Sequence, residues 1–595
     1  MAIDPPDSTL PGDLPPGGDV SEPEPGSTGA GGVPTFPVAP TASAGPGASR
    51  RRWVVALLVV TLVSVASVAA VLVLTGGSPT SALVGYLPDD TVGYVEFRLD
   101  APGDQRQNGA SILAHFPGFA DQSNLPAKID ETLDRLTGDS SGGRLVYSRD
   151  IKPWVGGTLA VAVTRRADIA DPEGNGGLVL AATRDPAAAM AWVRSVLGSG
   201  AESYTYQGVP LLRISQGGRP ISVGVVGSVL LAGDVESVHA AIATGGKGRI
   251  PAAPSFQAAS AAIRGDRLVF GYVDIEAAIA GLMPAPGAVP SPGAAPSPVV
   301  ASAVPPWAAF TLRAEGDAVV ATLAFPRMLP APTAPAATSS LAGRLPTTTV
   351  AATEVRGFGR LLASGLDALR QSPPLGAELG PLDQILRGLG GGDAFFGWMG
   401  DTSVVVTASD GVPSFGLLIR ASDVAAAEAH ALQFRNLLSV AGAATGWTTR
   451  EESYTGTTIV VVDLGPAADL AGSAADGQIP AGAHAEIALA ARGDTVVVGA
   501  GDAFVKAVLD ATPGSSLASQ PAYRRAMGLA GTENLGQAYV DIRAVVSLIV
   551  SRLSADDRAA FEANVLPYLK PLEAVASAGL GGDPTQVRIV VTIGN

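Results

Sequence analysis

Cysteine is absent from this 595-residue chain, which excludes disulfide staples, thiolate metal sites, iron–sulfur clusters and cysteine nucleophiles. Histidine is scarce. Four residues, His115, His239, His430 and His484, leave little material for a histidine-rich metal centre or a series of acid–base relays. Charged residues make up 16% of the chain, against about 25% in an average soluble protein. The balance is acidic, at −15, and so argues against a nucleic-acid partner, whose backbone is bound by clustered Lys and Arg.

Catalytic motifs are missing as well. No Gly-x-Ser-x-Gly elbow occurs, and Ser222, Ser228, Ser403 and Ser414 sit in or beside strand patterns with no histidine nearby. There is no His-Glu-x-x-His, and Gly388–Asp393 lacks the Lys-Ser/Thr of a phosphate loop. Asp100 and Asp104 lack the Asp-x-Asp-x-Asp-Gly spacing of a calcium loop. No cofactor, metal or enzymatic activity is expected on these grounds.

Glycine and proline are abundant, at 73 and 47 residues, and unevenly spread. Residues 1–49 hold eleven prolines, nine glycines, six acids and no base, a composition that cannot offset the entropy of ordering it. We read 1–49 as a disordered acidic tail. Residues 50–75 change character abruptly. Arg50-Arg51-Arg52 precedes Trp53–Leu74, twenty-two residues without a charge, long enough as a helix to cross a hydrocarbon core of about 30 Å. Thr61, Ser64 and Ser67 are its only polar side chains, and their hydroxyls can bond back to helix carbonyls. The three arginines on the N-terminal flank place the tail in the cytoplasm and the remainder outside. A cleaved signal peptide is the rival reading, but its apolar region is shorter, about 7–15 residues. A retained signal anchor is therefore expected, with the membrane as partner through helix 53–74.

Beyond the anchor, landmarks recur in the same order. Leu87-Pro88-Asp89-Asp90-Thr91-Val92 is matched by Leu345-Pro346-Thr347-Thr348-Thr349-Val350, and Trp154-Val155-Gly156 by Trp398-Met399-Gly400. Tyr206-Gln207-Gly208 is matched by Tyr454-Thr455-Gly456, Val229–Asp234 by Val496–Asp502, and Gly271–Ile275 by Gln537–Ile542. The expected organisation is one repeat over 83–330, a linker over 331–341 and a second repeat over 342–595. Short strands joined by hairpins and interleaved with helices make each repeat α+β: a curved, mostly antiparallel sheet carrying helices on one side. The first repeat carries a Pro/Ala-rich loop at 284–306, expected to be disordered, where the second has a helix-like stretch from Ser554 to Ala578. Trp154 and Trp398, retained in equivalent places, point to core packing.

A second asymmetry follows the first strand. The first repeat runs Arg98-Leu99-Asp100-Ala101-Pro102-Gly103-Asp104-Gln105-Arg106, then reaches Phe116-Pro117-Gly118-Phe119. With the leading strand, these segments resemble an uncharacterised bacterial family, domain of unknown function family 3352. The resemblance covers roughly 83 to 595 and is densest at 86–136. It implies a single N-terminal anchoring helix and brings no assigned activity.

The polar cluster Arg98, Asp100, Asp104, Gln105 and Arg106 is the best candidate site, and two readings stand for it. In one, Asp100 opens a turn, Asp104 caps the next helix and the arginines pair with nearby acids. In the other, the cluster is a binding patch for a polar ligand, a cation or a partner loop. The leading functional expectation is a non-enzymatic, membrane-anchored binding or interaction module of the bacterial envelope, with an unknown envelope ligand or protein partner. The alternatives are an envelope hydrolase using Asp100 and Asp104, or a structural or sensory envelope protein.

Overall fold

The computed structural model describes residues 81–99, 101–141, 143, 145–165, 176–216, 219–282, 304–327, 335–370, 384, 386–387, 391–409, 411–467 and 484–594. The tail 1–49, the apolar segment 53–74, nearly all of the 284–306 loop and the start of the 331–341 linker lie outside them. Among the described residues no helix is long and apolar enough to cross a membrane.

The chain lays down ten strands, β1 (Thr91–Arg98), β2 (Val155–Thr164), β3 (Gly177–Thr183), β4 (Glu202–Tyr206), β5 (Val209–Gln216), β6 (Arg219–Val226), β7 (Val229–Asp234), β8 (Val269–Asp274), β9 (Trp307–Ala314) and β10 (Ala318–Phe325). Ten more follow: β11 (Thr349–Val355), β12 (Met399–Ser409), β13 (Val412–Ala421), β14 (Thr448–Tyr454), β15 (Thr457–Pro466), β16 (His484–Arg492), β17 (Thr495–Ala500), β18 (Gly536–Asp541), β19 (Leu572–Gly581) and β20 (Thr585–Ile593). All twenty belong to one sheet, and every neighbouring pair is antiparallel. The spatial order is β4-β5-β6-β7-β3-β2-β1-β8-β9-β10, then β20-β19-β18-β11-β12-β13-β17-β16-β15-β14. The second set thus follows the order of the first, reversed about the β10–β20 seam. At that seam Val320 faces Val590 in register, and both are fully buried.

Two hairpins show how closely the sets agree. The β4–β5 turn has Gln207 at φ 47° and Gly208 at φ 79°, and the β14–β15 turn has Thr455 at φ 47° and Gly456 at φ 79°. Two consecutive positive φ values define the two-residue turn that matches the twist of flanking antiparallel strands, and glycine at the second position takes it without strain.

Alternation along the strands separates two cores. Leu180, Leu211 and Leu231 meet Tyr94, Phe256 and Tyr272 on one face, beneath the helices Val235–Ala243 and Pro254–Ala262. Their chain neighbours Ala181, Leu212 and Leu230 point to the other face, beneath Pro186–Leu197. The second set repeats this arrangement. Helices Asp502–Asp510 and Pro521–Ala530 cover Val405, Leu418 and Val497, while Val424–Thr445 packs over Leu417, Ile419 and Val496. Helices therefore lie on both faces, which corrects the expectation of one covered side. Where apolar residues come in consecutive pairs, as at Leu211-Leu212, both are buried and both faces are covered.

A second correction concerns 554–578. The helix Ala555–Asn564 and a short turn at Leu566–Leu569 are followed by strand β19. Leu572, Ala574, Ala576 and Ala578 are buried at a period of two, a strand pattern that the alanine content disguised as helix. Trp154 and Trp398 are both buried. Trp154 lies against Trp192 with centroids 5.0 Å apart, and Trp398 stacks on His430 at 4.5 Å.

Candidate functional site

The residues singled out from the sequence do not share one place. Asp104 stands at the start of the helix Gln105–Ala114, but its side chain makes no capping bond to the backbone. It accepts instead from Gln105 Nε2 at 3.1 Å and Asn108 Nδ2 at 3.2 Å. Gln105 is buried. Its Nε2 donates to the Ala314 carbonyl at 3.1 Å, and its Oε1 accepts from the Ala314 N–H at 2.8 Å, so the helix start is fixed to the end of β9. Arg106 is exposed, and Asp100 lies outside the described residues.

Arg98 belongs elsewhere. Because side chains alternate along a strand, Tyr94, Glu96 and Arg98 of β1 share one face, and all three are buried. Glu96 and Arg98 line a cavity of about 600 Å³ between β1, β8 and the helix Pro254–Ala262, a size within the range of about 300–1,000 Å³ typical of small-molecule sites. Phe256, Phe270, Arg264 and Arg267 complete the part of its wall that concerns chemistry. Tyr94 Oη donates to Glu96 Oε2 at 2.5 Å. Burial pushes the Tyr94 hydroxyl well above its usual range, and the adjacent Glu96 carboxylate pushes it further. The Arg267 guanidinium lies 4.1 Å from the centre of the Phe270 ring and donates through Nη1 to the Ile263 carbonyl at 3.0 Å. Burial lowers the Arg267 pKa, and Glu96 opposes that effect.

The same strand position in the second set is filled. Glu354 and Arg356 of the Glu-x-Arg segment that ends β11 match Glu96 and Arg98. Glu354 Oε2 accepts from Ser339 Oγ and from Gln537 Nε2 at 3.3 Å, while Oε1 is buried without a partner. Burial raises the Glu354 pKa despite the hydrogen bond from Ser339 and the nearby Arg356. Arg356 pairs with Asp401 at 3.1 Å and donates through Nε to the Asn534 carbonyl at 2.7 Å. Its other donor reaches the Ala337 carbonyl, and Ala337 and Asn534 also pair backbone to backbone. Asn534 stands where the first set has Arg267, and Gln537 where it has Phe270. Neutral amides and a returning segment thus seal the place that the first set leaves open.

Reading the sequence missed Glu96, Arg264 and Arg267. A signal for the first was present, the Glu-x-Arg triplet at the same point of both repeats. Arg264 and Arg267 join the site only through the packing of a helix and loop against β1. Among the described residues no group of three or more His, Asp or Glu side chains is placed to hold a metal ion.

The model of the family described as "Protein of unknown function (DUF3352)" matches residues 54–591, so the chain belongs to that family. No curated protein matches it. Among solved structures, crystal form III of TP0453 aligns with a TM-score of 0.23 and 12% identity, covering 42% of this chain and 82% of that one. Crystal form I of TP0453 aligns with a TM-score of 0.23 and 10% identity, covering 43% and 81%.

Proposed function

We infer, from membership in that family together with the cavity over Glu96 and Arg98, that this chain is a non-enzymatic binding module of the bacterial envelope. In this reading the 53–74 segment is a retained anchor, residues 1–49 face the cytoplasm and the twenty-stranded sheet lies outside the membrane. The cavity carries the reading. Of two corresponding places in one sheet, one is sealed by Arg356–Asp401 and the Ala337–Asn534 bridge, and the other opens onto buried charge. Charged side chains kept in an open, partly apolar cleft suit the capture of a ligand.

Two measurements test it. The chain has no cysteine, so single-cysteine labelling is unambiguous. Glu562→Cys, at an exposed site, should react with an impermeant maleimide on cells with a permeable outer layer, and Ser8→Cys only after lysis. The reverse pattern would overturn the orientation. Purification in mild detergent followed by native mass spectrometry should show a small molecule retained by the parent protein and lost from Ala261→Trp, which fills the cavity. Equal retention by both would remove the cavity from the reading.

A further inference from the structure

We propose that the cavity between β1, β8 and the helix Pro254–Ala262 binds an organic anion, one carboxylate or other oxyanion carried on an apolar body. The proposal rests on the binding reading above and names the ligand class of that site. Beside Arg98, the two guanidiniums of Arg264 and Arg267 meet one carboxylate, that of Glu96, in its wall. Glu96 already accepts from Tyr94, and neither Arg264 nor Arg267 forms an ion pair with a described carboxylate. Positive charge therefore exceeds negative charge inside a partly enclosed space, where a low dielectric strengthens its pull on an anion.

The geometry favours an oxyanion over a spherical ion. Arg267 lies over the Phe270 ring and is anchored through Nη1 to the Ile263 carbonyl, and a planar guanidinium fork matches a carboxylate or phosphate through parallel hydrogen bonds. Phe256 and Phe270 stand edge to face, 5.9 Å apart, and offer an apolar surface beside the guanidiniums. A ligand with only a charged group would leave the apolar part of the wall uncovered, and one without charge would make no use of the Arg264 and Arg267 donors. Burial disfavours the charged form of Arg267 and Glu96 offsets part of that cost, so an entering anion would offset more of it. At the sealed place in the second set, Asn534 replaces Arg267 and Gln537 replaces Phe270. The Arg267–Phe270 pair thus has no counterpart at the sealed place.

The test uses the full chain in nanodiscs of phosphatidylcholine, a lipid without net charge, and three probes titrated by calorimetry: 2-naphthoate, 2-naphthylmethanol and inorganic phosphate. Naphthoate should bind at least about tenfold more tightly than the alcohol or phosphate, a difference of about 1.4 kcal/mol. Arg267→Gln should lose about tenfold for naphthoate and little for the alcohol, while Arg267→Lys, which keeps the charge but not the fork, should fall between the parent and Arg267→Gln. Near-ultraviolet circular dichroism identifies any variant that has failed to fold. Equal binding of naphthoate and alcohol, unchanged naphthoate binding in Arg267→Gln, or no naphthoate binding would each overturn the anion proposal. Phosphate binding as tight as naphthoate would overturn the apolar body. Ala261→Trp separates the two levels of the reading. If it abolishes binding that Arg267→Gln leaves intact, the cavity stands and only the anion falls. If it changes nothing, the probe binds elsewhere and the binding-site reading falls with it.

Discussion

Gln105 holds the backbone of Ala314 from both sides, accepting from its N–H at 2.8 Å and donating to its carbonyl at 3.1 Å, across 209 residues of sequence. Both groups are buried. In Gln105→Ala the carbonyl keeps Asn108 Nδ2 as a donor, whereas the N–H loses its acceptor. An unmet buried group costs about 1–3 kcal/mol, so the expected loss is about 2–3 kcal/mol in urea unfolding. The exposed neighbour Arg106→Ala should stay within about 0.5 kcal/mol of the parent. Equal effects at the two positions would mean that Gln105 is not a fixing point.

Glu354 gives a pH dependence whose direction is set by burial. Its folded pKa is raised above 4.5, through burial first, with Arg356 and Ser339 pulling it down and Asp401 pushing it up. Between 4.5 and the raised value the folded state holds a proton that the unfolded state has released. Stability from this group is therefore complete below 4.5 and is lost as pH rises through the folded pKa. Glu354→Gln removes that titration. Its urea midpoint should fall less than the parent's as pH rises above 4.5. A steeper fall in the variant would show that the charged carboxylate stabilises the fold.

The two matched turns offer a stabilising change. Thr455 takes φ 47°, a left-handed conformation that is costly for a β-branched residue, by about 1–2 kcal/mol. Asparagine is preferred at the first position of this turn when glycine follows, and Gly456 follows here. Thr455→Asn should raise stability by about 0.5–1 kcal/mol, measured as a shift in the urea midpoint at constant slope. Thr455→Val, which keeps the branch, should give no gain.

Local chemistry made much of this fold readable, and distance hid the rest. Leu87-Pro88 and Leu345-Pro346 announce β1 and β11, and Gln207-Gly208 and Thr455-Gly456 announce hairpins, because turns and strand starts are written in adjacent residues. The antiparallel character followed from short connections. Helices on both faces were not read, although Leu211-Leu212 and Leu230-Leu231 carry that information as pairs that alternation sends opposite ways. The candidate cluster at 98–106 joined residues close in sequence, yet Arg98 and Gln105 belong to different surroundings. Arg264 and Arg267 meet Glu96 only after β8 has paired with β1, a contact of long sequence separation that no local spacing encodes.

The seam between β10 and β20 decides whether the two strand sets behave as one folding unit. Val320 and Val590 face each other there, both fully buried, and belong to the same core as Tyr523, Ala526 and Met527. On the opposite face Val319 and Val591 pack with residues of the helices Gln105–Ala114 and Ile542–Arg552. Side chains from the two sets therefore share both cores at the seam, and separating the sets would expose apolar surface on each. Val590→Ala should cost about 1.5–3 kcal/mol, the worth of a buried valine side chain. Val590→Asp should cost more, because an unpaired carboxylate would be buried. In a single cooperative unit, deuterium exchange should then accelerate in β1, β8 and β9 as well as in β18 to β20. Acceleration confined to β18–β20 and their flanking helices would show two sets that unfold separately, joined by a seam that contributes little to either.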